Sequence, residues 1–430
     1  MITCCSLLIL LYTETRTPDL LSIGSNNAPN TLTDTIASVP ENSISLTDES
    51  EELSDNSENS QPTEYPKRLR RITHKESFKD EYFPAMITDD IFKLLPPAGF
   101  LKEYKSNCWE LTPGSPGQLR CLPQVYLIGQ IKCGTTDLFD KLVWHPDILE
   151  PPIGKEIRWW SKARFEKKPF KKYLENMTPK DISFNKNGLL VDGDPNILYQ
   201  LEHWYRRYPW AKHPPYTNAD LIKLITPKAK IIAVFRNPVD RLWSGYLWTN
   251  AGNASTIHGH VVRDMNKFND CLEKHDFRHC CYNEENNLLG GTRLNMGIYM
   301  CFVADFKETF GRKMHILTTE EYSNNQLDTM KTLYNFLEVS TDIDFSPLQK
   351  TFNERFNERK TPGLSKGELP AQTRNLLEDF YRPYNEELAE YLGDSKYLFN
   401  EEVARDKGGR KYGGSKTVDE RRKGKPQIKW

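Results

Sequence analysis

A run of buried-type residues, Val125-Tyr126-Leu127-Ile128, passes without a break into Gly129-Gln130-Ile131-Lys132-Cys133-Gly134-Thr135-Thr136 and then into a helical pattern ending near Leu142. A strand that turns straight into a helix through a glycine-bracketed loop constrains the chain strongly, because the helix must cross back over the sheet before the next strand can pair in parallel. The same order recurs at Ile231-Ile232-Ala233-Val234-Phe235, which is followed by Arg236-Asn237-Pro238 and a helix from about Val239. Leu189-Leu190-Val191 and Met314-His315-Ile316-Leu317 read as further strands. The expected fold class is α/β, a parallel sheet flanked by helices, and no internal repeat interrupts it.

Composition sets the limits of that domain. With 430 residues, 38% of them hydrophobic, the chain can bury one large α/β core. From about Thr13 to Pro66 the sequence is rich in Ser, Thr, Asn, Asp, Glu and Pro without helical or strand period, and 13–81 is expected to be a flexible stem. The folded domain is expected over 82–398, with a basic, disordered tail over 399–430. The apolar run at 2–12 is too short for a standard membrane span and has no basic flank before it, so it reads as a truncated signal anchor or the h-region of a signal peptide. The formal net charge of −1 gives no general affinity for nucleic acid, so any polyanion must meet a local patch.

Nine cysteines lack the C-x-x-C pairs of a zinc site, and Cys271 and Cys280 flank a short polar loop, so disulfides are the better reading. The sequons at Asn176 and Asn253 agree with that, and together these features point to an oxidising lumen.

The loop after the first strand has the makings of a phosphate cradle. Backbone N–H groups at a helix start, backed by the helix dipole, receive an anion there. Lys132 precedes Gly134 and threonines follow it, whereas in a Walker A loop the lysine follows the glycine and its hydroxyl neighbour serves a magnesium-bound triphosphate. The plainer reading is a tight turn with an incidental lysine. The second loop puts Arg236 at the carboxyl end of a strand, where open α/β sheets bind ligands, and Ser244 about two helical turns further on. An arginine fork suits phosphate oxygens, although Arg236 taken singly could serve as a surface ion-pair partner.

Together the two loops resemble the 5′-phosphosulfate and 3′-phosphate motifs of the Golgi carbohydrate sulfotransferases that use 3′-phosphoadenosine 5′-phosphosulfate (PAPS), enzymes with a P-loop-like sheet. The likeness runs from about Cys108 to Leu398 and takes in Arg120-Cys121-Leu122-Pro123 and Phe380-Tyr381-Arg382-Pro383-Tyr384-Asn385. It is strongest to the branch acting on the 6-hydroxyl of N-acetylgalactosamine 4-sulfate in chondroitin or dermatan sulfate, to which the heparan sulfate sulfotransferases are related. The resemblance implies a single sulfotransferase domain, a glycosaminoglycan acceptor, PAPS as co-substrate, and a type II membrane-anchored or secreted protein of the Golgi lumen. It implies that Lys132 neutralises the leaving bisphosphate, that the Cys133 turn with Gly134, Thr135 and Thr136 holds the 5′-phosphate, and that Arg236 and Ser244 hold the 3′-phosphate. Lys366 and Gly367 resemble part of a late loop that closes over the nucleotide, with Glu368 where an arginine is usual. The resemblance also pairs Cys271 with Cys280 and Cys108 with Cys121, and it leaves Cys281 and Cys301 unassigned.

Lys155-Glu156-Ile157-Arg158-Trp159-Trp160 resembles the family segment whose glutamate is the proposed base. A sugar hydroxyl is a weak nucleophile, so a carboxylate within reach must take its proton, and Glu156 is the candidate. Lys155 and Arg158 are candidates for acceptor binding; Ile157 and Arg158 stand where Pro and His are usual, and Arg158 suits a sulfate or uronate. Trp159 and Trp160 suit either sugar stacking or core packing. No metal is expected, since lysine and helix-end dipoles can balance the migrating group. Cys133 is expected to be a packed thiol. The competing readings are a P-loop kinase, which the position of Lys132 opposes, and a silent glycan-binding protein.

Overall fold

The computed structural model describes residues 91–400, apart from 97–98, 113, 115–117, 181, 208, 210, 215, 250–251, 284–290 and 352–366. The apolar run at 2–12, the expected stem, nearly all of the basic tail and Lys366 lie outside the described residues. Among the described residues no helix is long and apolar enough to cross a membrane.

Strands β1 (Asn107–Glu110) and β2 (Leu119–Leu122) form an antiparallel hairpin, and Cys108 is joined to Cys121 across it with an S–S distance of 2.06 Å. The main sheet holds β3 (Val125–Gly129), β4 (Ile148–Leu149), β5 (Leu189–Asp192), β6 (Lys230–Phe235) and β7 (Met314–Thr318), in the order β4-β5-β3-β6-β7. Every pairing is parallel. The expected parallel sheet is therefore present, and its four longer strands fall on the apolar runs read from the sequence. The two-residue β4 carries no signal of its own, because so short a pairing is made by its neighbours.

Both faces of this sheet are buried, which is why its strands are continuous apolar runs. Tyr126 and Ile128 of β3, with Ile231, Ala233 and Phe235 of β6, enter one core, while Val125, Leu127, Ile232 and Val234 enter the other. Helices α1 (Thr135–Val143) and α7 (Gln326–Leu337) cover the second face through Leu138, Phe139, Met330 and Leu333. The first is covered by α2 (Phe170–Met177), α3 (Asn218–Ile225), α4 (Pro238–Trp248), α5 (Ile257–Leu272), α6 (Tyr299–Phe310) and α8 (Ala371–Leu392). Local chemistry sets their starts. Thr217 and Asp220 form a capping box at α3, and the Asn237 side chain accepts from the N–H groups of Val239 and Asp240 at α4, with Pro238 at the first helical position.

Strand order decides where a ligand can sit. The chain leaves β3 for β4 and β5 on one side and later reaches β6 and β7 on the other, so β3 and β6 flank a topological switch point. Open α/β sheets present their ligand crevice at the carboxyl ends of strands at such a point. The 129–136 and 236–238 loops emerge there side by side.

Candidate active site

The 129–136 loop is held from below. Gln130 is fully buried, and its N–H donates to the Val234 carbonyl at 2.8 Å while its side-chain amide donates to the Met296 carbonyl at 3.1 Å. Lys132 adopts φ 65° and Gly134 φ 82°, so the chain passes twice through the left-handed region before α1 starts. The first-turn N–H groups of α1 then have no partner within the helix. Thr319, at the end of β7, donates its hydroxyl to the carbonyls of Cys133 at 2.8 Å and Phe235 at 3.0 Å, tying the loop to β6. The Tyr299 hydroxyl, 4.0 Å from the Cys133 sulfur, donates to the Arg236 carbonyl at 2.7 Å and joins the two loops a second time. Burial pushes the Cys133 thiol up to about 12, so it packs as a neutral group, as expected from the sequence.

Helix α4 lies against this loop. A side chain added at Gly245 would meet Lys132 Cγ at 3.7 Å, so the segment carrying Ser244 sits beside the lysine stem. The Lys132 ammonium rests 4.2 Å from the centre of the exposed Trp248 ring. Arg236 is half-buried, and its charge reaches the Cys133 turn.

The 155–160 segment is anchored beyond the end of β5. The Glu156 N–H donates to the Gly193 carbonyl at 3.0 Å. Only glycine fits at 193, because a Cβ there would lie 2.4 Å from the Phe139 ring. The Lys155 ammonium donates to the Thr136 hydroxyl at 2.7 Å and pairs with the Glu156 carboxylate at 2.9 Å. Thr136 therefore accepts from Lys155 and keeps its own O–H to donate. This single ammonium brings the candidate base to the edge of the anion cradle. Glu156 and Arg158 both have positive φ, 64° and 56°, and both side chains are exposed.

Two tryptophans do not join the site. Trp159 and Trp160 are 2% and 0% exposed, so neither stacks on a sugar. Apolar area and polar partners hold them inside: Trp159 packs on Phe170 and Tyr173, and its N–H donates to the Lys168 carbonyl at 3.2 Å. The Trp160 N–H donates to the Tyr173 hydroxyl at 3.0 Å, and that hydroxyl donates to Asp192 at 2.8 Å. Gly367 lies against Ala254, where a Cβ would clash at 2.8 Å, in the connection between α4 and α5. Asn253 is exposed in that connection, whereas Asn176 is half-buried in the last turn of α2 with the Thr178 hydroxyl bonded to the Leu174 carbonyl. Cys271 is joined to Cys280 (S–S 2.04 Å), and Cys281 and Cys301 are buried free thiols.

Residues 123–343, just over half of the chain, match the pattern of the sulfotransferase family. The chain belongs to that family. It is 29% identical over 315 residues to carbohydrate sulfotransferase 15 of Homo sapiens, a match covering 66% of this chain and 56% of the relative. The Mus musculus protein of the same name gives the same identity and the same coverage of each chain. The chain thus spans about half the length of these relatives. Among solved structures, a sulfotransferase from Alicyclobacillus acidocaldarius aligns with a TM-score of 0.40 at 21% identity, covering 64% of this chain and 98% of the other.

Thr319, Tyr299, Gly193 and Trp248 escape the sequence reading. Each acts through a contact made by an element distant in the chain, and none stands in a spacing that signals it.

Proposed function

We propose that this protein moves the sulfuryl group of PAPS to a glycosaminoglycan hydroxyl, in particular the 6-hydroxyl of N-acetylgalactosamine 4-sulfate in chondroitin or dermatan sulfate, within the Golgi lumen. The observation that carries this reading is the Lys155 ammonium, which touches the donor-loop Thr136 hydroxyl at 2.7 Å and the Glu156 carboxylate at 2.9 Å. A base and an anion cradle are thereby neighbours, as in-line transfer requires. The likeness to carbohydrate sulfotransferase 15 supports the acceptor class.

In the reaction, the α1 N-terminus with Gly134, Thr135 and Thr136 holds the 5′-phosphate, and Arg236 with Ser244 holds the 3′-phosphate. Glu156 takes the proton of the acceptor hydroxyl as its oxygen bonds to sulfur. The bond between sulfur and the bridging phosphate oxygen breaks, and its electron pair stays on the departing 3′-phosphoadenosine 5′-phosphate. Lys132 leaves the face of Trp248 to balance that charge. Membrane attachment would come from the segment preceding the domain.

The test is incubation with labelled PAPS and chondroitin 4-sulfate, chondroitinase digestion and separation of the disaccharides. A 4,6-disulfated unit is expected. Label confined to heparan sulfate would move the protein to another branch of the family, and label from ATP on any acceptor would replace the reading with a kinase.

A further inference from the structure

Helix α4 carries two indoles with different fates. Trp243 is half-buried and stacks on Tyr246, their ring centres 6.0 Å apart. Trp248, the last residue of the helix, is 64% exposed, and no aromatic ring packs on it among the described residues. A single exposed apolar side chain is ordinary on a protein surface, so exposure alone assigns Trp248 nothing. Its place does.

Ser244 lies four residues earlier, on the same face of α4 and one turn away. Between them Gly245 is buried, and a Cβ there would lie 3.7 Å from Lys132 Cγ, so the lysine stem runs along the helix at this point. That stem starts from backbone held at φ 65° and ends with its ammonium 4.2 Å from the centre of the Trp248 ring. At the far end of the same turn, the Thr136 hydroxyl accepts from Lys155, which pairs with Glu156. The 132–136 turn is thus flanked by an indole at one end and a carboxylate at the other, both exposed. An acceptor whose hydroxyl meets Glu156 in line with the donor has to lie over this turn.

Sugar chemistry suits such an indole. A pyranose ring carries most of its hydroxyls at its edge and turns C–H bonds to its faces. In a galacto-configured ring the axial 4-substituent takes one face and leaves the C–H bonds to the other. An indole covers that face without taking a hydrogen bond from the sugar, and only two side-chain torsions have to be fixed. The charged side chains of Lys155, Glu156 and Arg158 offer a ring face no flat apolar partner, and Trp159 and Trp160 lie in the core.

We infer that Trp248 is the platform on which the acceptor hexosamine stacks its C–H face, and that this contact reads the ring and not its charge. The inference rests on the transfer reading above and names an acceptor contact within it.

The experiment is calorimetry on the full chain with 3′-phosphoadenosine 5′-phosphate bound, titrating a chondroitin 4-sulfate hexasaccharide and its desulfated counterpart, alongside initial rates with PAPS. Trp248→Ala should weaken both hexasaccharides alike, by about tenfold, the scale of a lost apolar ring contact. The loss should be the same at low and high salt, since an apolar contact is not screened. Trp248→Tyr should restore affinity to within about threefold of wild type, because a phenol ring keeps the platform. Nucleotide affinity should change by no more than about fivefold, the most that one exposed cation–π contact accounts for. In rates with PAPS, KM for the hexasaccharide should rise by more than kcat falls. Wild-type hexasaccharide affinity in Trp248→Ala overturns the inference. A loss confined to the sulfated hexasaccharide, or one that vanishes at high salt, overturns it too, because the contact would then be read through charge. So does a nucleotide loss larger than the hexasaccharide loss, which would make the indole a support for Lys132 alone. Should the wild type bind the hexasaccharide through Trp248 without turning over PAPS, the transfer reading falls and the platform stands. Turnover in the wild type with hexasaccharide affinity unchanged in Trp248→Ala gives the reverse.

Discussion

The proposed donor wall and the proposed acceptor wall of this site are built differently. The 129–136 and 236–238 loops are tied to the sheet by neutral partners, buried at Gln130 and Tyr299 and half-buried at Thr319: Gln130 to Val234 and Met296, Thr319 to Cys133 and Phe235, Tyr299 to Arg236. The 155–160 segment, proposed to face the acceptor, carries Glu156 and Arg158 on left-handed backbone with exposed side chains, and rests on buried carboxyl groups at Asp192 and Asp194. A nucleotide is a fixed ligand and suits a cradle set by the fold. An acceptor glycan varies, and its wall is a loop whose side chains can change without disturbing the sheet.

The largest effect expected from breaking this contrast lies on the donor side. Lys132→Ala should cost about 10³-fold in turnover, the scale of a lost transition-state charge contact, with unfolding temperature unchanged because the side chain lies against an exposed indole. Near-normal turnover would remove Lys132 from the reaction. On the acceptor side, Glu156→Gln should lower kcat by about 10²-fold or more, the usual weight of a general base, while nucleotide affinity holds. A pH–rate profile keeping its acid limb in that variant would assign the base elsewhere.

A smaller effect separates the two phosphates of the donor. Arg236→Ala and Ser244→Ala should weaken 3′-phosphoadenosine 5′-phosphate by about tenfold each, and an analogue lacking the 3′-phosphate much less. Equal losses for both nucleotides in calorimetry would contradict the assignment.

The contrast between the walls also explains what was legible in the sequence. The donor wall could be read because strand, glycine turn and helix start are consecutive in the chain, so Val125–Thr136 carries its own geometry. Lys155, Glu156 and Arg158 could be named as candidates from residue type alone, but nothing local shows that Lys155 reaches back to Thr136 or that Gly193 anchors Glu156. Trp159 and Trp160 illustrate the limit. A tandem of indoles beside a candidate base has the same sequence whether it meets a sugar or Phe170 and Tyr173, and only the position of α2 decides for the core. The buried cluster in which Ser161 and Asn196 donate to Asp194 and Tyr199 donates to Asn196 carries no local signal, since each residue type is common and their convergence is tertiary.

The smallest expected effect tests the foundations of the acceptor wall. Asp192 is buried, and that burial, with the neighbouring Asp194 charge adding to it and the Tyr173 hydrogen bond opposing, raises its carboxyl to about 7. One of its oxygens has no partner among the described residues, and the residue directly precedes Gly193, which holds Glu156. The ordinary carboxyl value is about 3.8, so between pH 4 and 7 the unfolded chain has released this proton while the folded chain keeps it. Stability attributable to this group is therefore greatest near pH 4 and falls as pH rises towards 7. Asp192→Asn keeps an acceptor for Tyr173 and has no proton to lose. Its unfolding temperature should match the wild type near pH 4 and exceed it by at least about 2 °C at pH 7. Parallel melting curves across that range would show that Asp192 is ionised in the folded chain, and that the acceptor wall rests on a buried charge instead of a neutral acid.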